Sequence, residues 1–240
     1  MRKKVWINLD PNKVDVSYLE KRLKDSGFDV IYKVIYADDE AGTIELGNKV
    51  DAVVSVFEQW NERTLPAVKD NLKFIQRYGA GIDNINLKLA TEVGIPVANV
   101  PGANSAAVAE LALLHILNLG RRFKTCIDDT KKGIWPCEIT GNELDGKTVG
   151  LVGFGNIAKQ LARMMSGFDV KILVYDSYAR PDTSKYNVEA VDSMEELFSQ
   201  SDIVSLHIPL NKETKGIIDK SLLSLMKPSA YLVNTCRGAV

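Results

Sequence analysis

The stretch Val149-Gly150-Leu151-Val152-Gly153-Phe154-Gly155-Asn156-Ile157-Ala158 decides the fold. Its short uncharged start reads as a strand buried on both faces, and Ile157, Leu161, Ala162 and Met165 then keep helical spacing. Between strand and helix lies a Gly-x-Gly-x-x-Ala turn. Gly153 permits the tight turn, Gly155 lets the backbone approach a pyrophosphate, and the small Ala158 allows close helix–strand packing. The amides of Asn156 and Ile157 then point at phosphate from a helix N-terminus. The next apolar run, Val170 to Tyr175, ends at Asp176, 18 residues past Ala158. A carboxylate there accepts hydrogen bonds from ribose hydroxyls and repels a 2′-phosphate, so the pattern points to NAD rather than NADP. Arg180 follows in the same loop and reads as a solvated residue more readily than as a phosphate ligand.

The same alternation runs in both directions. Downstream, Val188 to Val191, Ile203 to Ile208 and Tyr231 to Val233 are strand-like, and Ser193-Met194-Glu195-Glu196 is a capping box opening a helix with Leu197 and Phe198. Five β-α steps make one doubly wound domain over residues 101–240. Upstream, Val5 to Leu9, Val30 to Val34, Ala52 to Val56, Leu72 to Ile75 and Ile95 to Ala98 alternate with helical stretches such as Val16 to Leu23, a second α/β domain over residues 1–100. Pro101-Gly102 breaks the rhythm between them. Ser105 as N-cap and Gly120 just past the end predict a long buried helix over 105–119 that bridges the domains. Thr125 to Gly146, with Trp135, is the least regular part and is expected to be an exposed arm.

Two domains also suit 240 residues, since a single domain usually holds roughly 100 to 200. Apolar residues at 45% and charged residues at 25% exclude disordered, collagen-like and coiled-coil classes. A net charge of −1 offers no field to steer nucleic acid or anionic lipid, so neither partner is expected. Cys126, Cys137 and Cys236 form no CxxC pair and have no close His, so neither disulfides nor a metal site is expected. The apolar run after the basic N-terminal residues stops at Asp10-Pro11, far short of a signal peptide, and cytoplasmic residence is the expectation.

Further segments carry a family resemblance: Asp202 to Leu210 with Thr214, Met226-Lys227-Pro228, and Val233-Asn234-Thr235-Cys236-Arg237-Gly238. With Arg77 to Ile85, Gly94 to Gly102 and Val108-Ala109-Glu110, they resemble the D-isomer-specific 2-hydroxyacid dehydrogenases in order and spacing, over nearly the whole chain. The resemblance implies a flavodoxin-like substrate domain followed by a Rossmann NAD-binding domain, and a homodimer. It implies hydride transfer between NAD(H) and a small D-2-hydroxy or 2-keto acid in the cleft between the domains. Arg237 would grip the substrate carboxylate and carbonyl oxygen bidentately, and the Gly79-Ala80-Gly81 backbone would hold the carboxylate. His207, Pro209, Thr214, Thr235 and Cys236 would line the cofactor, Cys236 through its backbone rather than as a nucleophile.

The family's proton donor is a different His, paired with a Glu and nearer the C-terminus than the Arg motif; neither has a match here. His115 falls in the apolar helix and is expected to be packed or at an interface. The chain, ending at Val240, is therefore expected to be a truncated dehydrogenase or a cofactor-binding remnant, slow or inactive, with Tyr231 to Val233 as an exposed sheet edge. A non-catalytic, corepressor-like NAD-binding scaffold is the rival reading. Glu58 stands near a strand end where phosphoglycerate enzymes of the family tend to carry Arg, which shifts the expected substrate towards lactate-, hydroxypyruvate- or branched-chain-type acids.

Overall fold

The computed structural model describes residues 2–136, 138–178 and 182–240; Cys137 and Arg180 lie outside them. The chain divides into two compact units, Met1–Ala103 and Asn104–Val240.

The first unit runs β1 (Lys4–Ile7), α1 (Ser17–Asp25), β2 (Asp29–Tyr32), α2 (Glu40–Gly47), β3 (Ala52–Ser55), α3 (Thr64–Val68), β4 (Phe74–Arg77), α4 (Leu87–Glu92) and β5 (Val97–Ala98). All its strand pairs are parallel, in the order β2-β1-β3-β4-β5, the flavodoxin-like winding. Strand periodicity splits β1 between two cores: Val5 and Ile7 pack with Leu9, Val16 and Val54, while Trp6 joins Val53, Trp60, Leu65 and Ile75 on the other face. Trp6 and Trp60 meet edge to face at 6.3 Å, a geometry worth about 1 kcal/mol beyond the area buried.

The second unit opens with α5 (Ser105–Gly120) and α6 (Phe123–Lys131). It continues through β6 (Thr148–Val152), α7 (Asn156–Met164), a single 3₁₀ turn, β7 (Lys171–Tyr175), β8 (Glu189–Ala190), α8 (Met194–Gln200), β9 (Ile203–Leu206), α9 (Lys220–Leu225) and β10 (Tyr231–Asn234). The parallel order β10-β9-β6-β7-β8 is the Rossmann winding. Its core joins Ala109, Ala112 and Ile116 of α5 to Val149 and Leu151 of β6 and Ala158, Leu161 and Ala162 of α7.

Several local expectations need correction. Asn104, not Ser105, holds the N-cap position of α5, without a side-chain cap bond, and Gly120 is the helix's last residue rather than its stop. The helix is buried on one face only: Leu111, Leu114, His115 and Leu119 are exposed, because one stripe suffices to pack on α7. The irregular arm begins as a helix, α6, with no buried residue; Trp135 beyond it is 83% exposed. The β7–β8 crossover contains no helix among the described residues, so not every β-α step is complete. In the capping box Ser193 Oγ accepts from Glu196 N at 3.1 Å, but the Glu196 carboxylate takes Asp192 N instead of closing back on Ser193.

Candidate functional site

In the second unit, strand ends at one edge of the sheet carry most of the residues singled out. The chain leaves β6 through Gly153 at φ +88°, where a Cβ would stand 2.7 Å from the His207 carbonyl oxygen. Only glycine passes there without strain. Gly153 N donates to Tyr175 O (2.7 Å) and Phe154 N to Asp176 Oδ2 (2.8 Å), which laces the turn to the end of β7. Asp176 Oδ1 accepts from Tyr178 N at 2.9 Å. Asp176 thus shapes the turn as well as presenting a carboxylate beside it, a second role that the motif does not announce.

Gly155 is the N-cap of α7 at φ −79°, and a Cβ added there meets nothing within 4 Å. The bond from Lys159 N to Gly155 O (3.0 Å) is the first of the helix, so the Asn156 and Ile157 amides stand ahead of it, open to an anion. Bare backbone at Gly155, those amides and the Asp176 carboxylate fit a dinucleotide, with pyrophosphate on the glycine turn and ribose hydroxyls on Asp176.

The neighbouring strand ends supply polar atoms that lack partners. Among the described residues, both His207 ring nitrogens, Ser205 Oγ and Thr235 Oγ1 are buried without a hydrogen bond. Buried polar groups are nearly always satisfied, so such a cluster at a sheet's carboxyl edge fits contact with a bound ligand. Burial holds the His207 imidazole down to about 4, which leaves the ring neutral at physiological pH. Cys236 Sγ donates to Leu206 O (2.8 Å), and burial pushes its thiol up, against any role as a thiolate. Thr214 is buried and its hydroxyl donates to the carbonyl of Pro209 at 2.6 Å; with Asn211 it shapes the 209–214 loop rather than reaching outward. Arg237 is exposed, with Nη1 on Cys236 O (2.9 Å), and Asn234 ties its own turn through Cys236 N (2.8 Å) and Arg237 O (3.0 Å).

In the first unit, Gly79 follows β4 at φ +136°. Its loop is held from below: Arg77 Nε donates to Gly81 O (2.8 Å), Arg77 Nη1 to Ser55 O (2.9 Å), and Asn99 Nδ2 to Ala80 O (2.8 Å). Gly79 N itself donates to Arg77 O (3.1 Å), which leaves the Ala80 and Gly81 backbone as the better candidates for a carboxylate. Glu58, near the end of β3, is fully buried and hydrogen-bonded inside the unit. Sequence reasoning missed its partners, Asn8 and Trp60, and the grip of Arg77. A polar residue directly after a buried strand, as Asn8 is after β1, is the signal that finds such positions. Among the described residues no cluster of His, Cys, Asp and Glu could hold a metal, and no helix is long and apolar enough to cross a membrane.

Residues 113–240 match the family profile of the D-isomer specific 2-hydroxyacid dehydrogenase NAD binding domain. The chain is 44% identical to a hydroxypyruvate reductase of Thermotoga maritima over 70% of its own length and 54% of that protein's. It is 35% identical to a glyoxylate reductase of Thermococcus litoralis, over 93% of this chain and 72% of that one. It thus spans about half to three quarters of the length of these relatives. Among solved structures, D-lactate dehydrogenase from Aquifex aeolicus complexed with NAD and lactic acid superposes with a TM-score of 0.83 at 30% identity, covering 99% of this chain and 70% of that one. On these similarities, and on two parallel sheets wound as described, the chain belongs to the D-isomer-specific 2-hydroxyacid dehydrogenase family and carries its NAD-binding domain.

Proposed function

We propose that the chain is an NAD-dependent oxidoreductase that transfers a hydride between NAD(H) and a small D-2-hydroxy or 2-keto acid. The observation that carries this reading is the convergence of the Gly153–Gly155 turn, Asp176, His207 and the Thr235–Arg237 turn on one sheet edge. NAD(H), when bound, supplies the hydride donor or acceptor. Gly153, Gly155, Asn156 and Ile157 hold its pyrophosphate and Asp176 its ribose, favouring NAD over NADP. His207, Pro209, Thr235 and Cys236 line the same edge, with Thr214 bracing the loop. Within the second unit the guanidinium of Arg237 is assigned to orienting the acid, and within the first the backbone of Gly79 to Gly81 is assigned to a carboxylate. We assign the first unit to substrate and the second to cofactor.

Proton delivery is where a second reading gains support. His207 is neutral at physiological pH, and His115 sits exposed on α5, so neither histidine of these 240 residues suits the acid role. The dehydrogenase reading expects the chain to bind NADH and to oxidise it with some 2-keto acid; a non-catalytic NAD-binding scaffold shows binding and no turnover at all. Fluorescence titration with NADH, followed by NADH oxidation with a panel of 2-keto acids, separates the two. Failure to bind NADH would remove both.

The exposed Leu111, Leu114 and Leu119 on α5, with Trp135, support pairing of two copies through the second unit. Sedimentation of the chain at micromolar concentration should return a dimer mass, and a monomer would count against it.

A further inference from the structure

Every carbonyl of the Gly79-Ala80-Gly81 loop is tied back into the first unit. Gly79 O accepts from Val100 N (3.0 Å), Ala80 O from Asn99 Nδ2 (2.8 Å) and Gly81 O from Arg77 Nε (2.8 Å). A trans peptide sends its N–H the opposite way from its carbonyl. None of these peptides is cis, so the amides of Ala80, Gly81 and Ile82 face away from the groups that anchor the loop. All three residues are half-buried, and among the described residues no acceptor pairs with those amides. Backbone N–H groups taken from water are nearly always satisfied, so three successive ones without a partner fit a bound anion.

Arg77 fixes the far end of this arrangement. It closes β4 opposite Ser55 of β3. Ser55 O accepts from Tyr78 N and from Arg77 Nη1, both at 2.9 Å, and Tyr78 O accepts from the same Nη1 at 3.3 Å. One planar guanidinium thus holds Gly81 O through Nε and the end of β3 through Nη1. Fixing the Gly81 carbonyl against a strand end sets the plane of the Gly81–Ile82 peptide, and with it the direction of the Ile82 amide. A lysine carries the same charge but lacks the rigid fork that grips two carbonyls at once.

We propose that Arg77 is a positioning residue: it does not touch the acid but aims the Ala80, Gly81 and Ile82 amides at its carboxylate, with Asn99 bracing the middle peptide. The proposal rests on the reading of this loop as the carboxylate site, and it adds the Ile82 amide to that site. A peptide free to rotate would turn its carbonyl outward part of the time, and a carbonyl oxygen repels a carboxylate. Orientation therefore decides whether the loop attracts an anion or rejects it, and dipoles held in place beforehand need no rearrangement when the acid arrives.

The test compares oxamate with oxamide, its neutral match in shape, titrated by calorimetry into the NADH-saturated chain. The native chain should bind oxamate at least about tenfold more tightly. Arg77→Lys, which keeps the charge and loses the fork, should bring that ratio to about threefold or less through weaker oxamate binding, with NADH affinity unchanged. Asn99→Ala removes an exposed side chain and its bond to Ala80 O, and should narrow the ratio in the same direction; it decides the matter if Arg77→Lys does not fold. A urea midpoint that falls while the ratio stays as in the native chain, the mark of a merely structural residue, overturns the proposal alone. Equal binding of both compounds by the native chain, or binding of neither, overturns the carboxylate assignment of the loop, and this inference with it.

Discussion

Replacing Gly153 and Gly155 separately by alanine should split stability from cofactor binding. At Gly153 the positive φ of +88° costs an alanine about 1–2 kcal/mol by itself. The added Cβ would also lie 2.7 Å from His207 O, 2.9 Å from Ile208 Cγ2 and 3.0 Å from the His207 carbonyl carbon. Two of these atoms are backbone of the neighbouring strand end, so relief requires the β6 and β9 ends to move apart, against the bond from His207 N to Val152 O (2.8 Å). A total loss of about 2–4 kcal/mol follows, a large share of the roughly 5–15 kcal/mol that holds a domain folded. Gly155 differs: φ −79° suits any residue and the new methyl meets nothing, so stability should change by no more than about 1 kcal/mol. That methyl would stand where the pyrophosphate must approach, and NADH affinity should fall at least about tenfold. Urea unfolding followed by circular dichroism, with NADH fluorescence titration, reads both quantities. If Gly155→Ala binds NADH as the native chain does, the placement of the dinucleotide on this turn is wrong; if Gly153→Ala is as stable as the native chain, the strain argument fails.

Asp176→Ser should lose part of the turn's lacing to Phe154 and Tyr178, about 1–2 kcal/mol, and should bring NADPH affinity close to that of NADH; a retained preference for NADH would sink the ribose assignment. Arg237→Ala should weaken oxamate or 2-keto acid binding by about tenfold or more while NADH titrates as before, and unchanged acid binding would make Arg237 structural. Burial lowers His207 to about 4 from about 6.5 in the unfolded chain, so the neutral ring's contribution is complete above roughly pH 6.5 and fades as pH falls towards 4, by up to about 3 kcal/mol. His207→Gln should flatten this acid limb, measured as urea midpoints near pH 7 and pH 4.5, and an unaltered limb would assign the loss to other groups.

The amino-acid sequence by itself determined the winding of both sheets. Runs such as Val149 to Val152 and Ile203 to Leu206 carry no charge and are mostly apolar because parallel strands are buried on both faces, and Gly153 and Gly155 mark the turn because their backbone demands are local. Asp176 was legible for the same reason, lying directly after a strand at a fixed distance from the turn. What only the tertiary structure decided are the properties set by residues far apart in the chain. Glu58 looks like a surface acid until Asn8, 50 residues earlier, closes over it. His207 gives no sign in its own motif that both ring nitrogens are buried without partners. The α5 segment is apolar around much of its circumference, so periodicity alone left open which stripe packs on α7 and which, with Leu111, Leu114 and Leu119, faces outward. Local geometry is written in neighbouring residues, whereas burial and partnership depend on which distant strand ends the winding brings side by side.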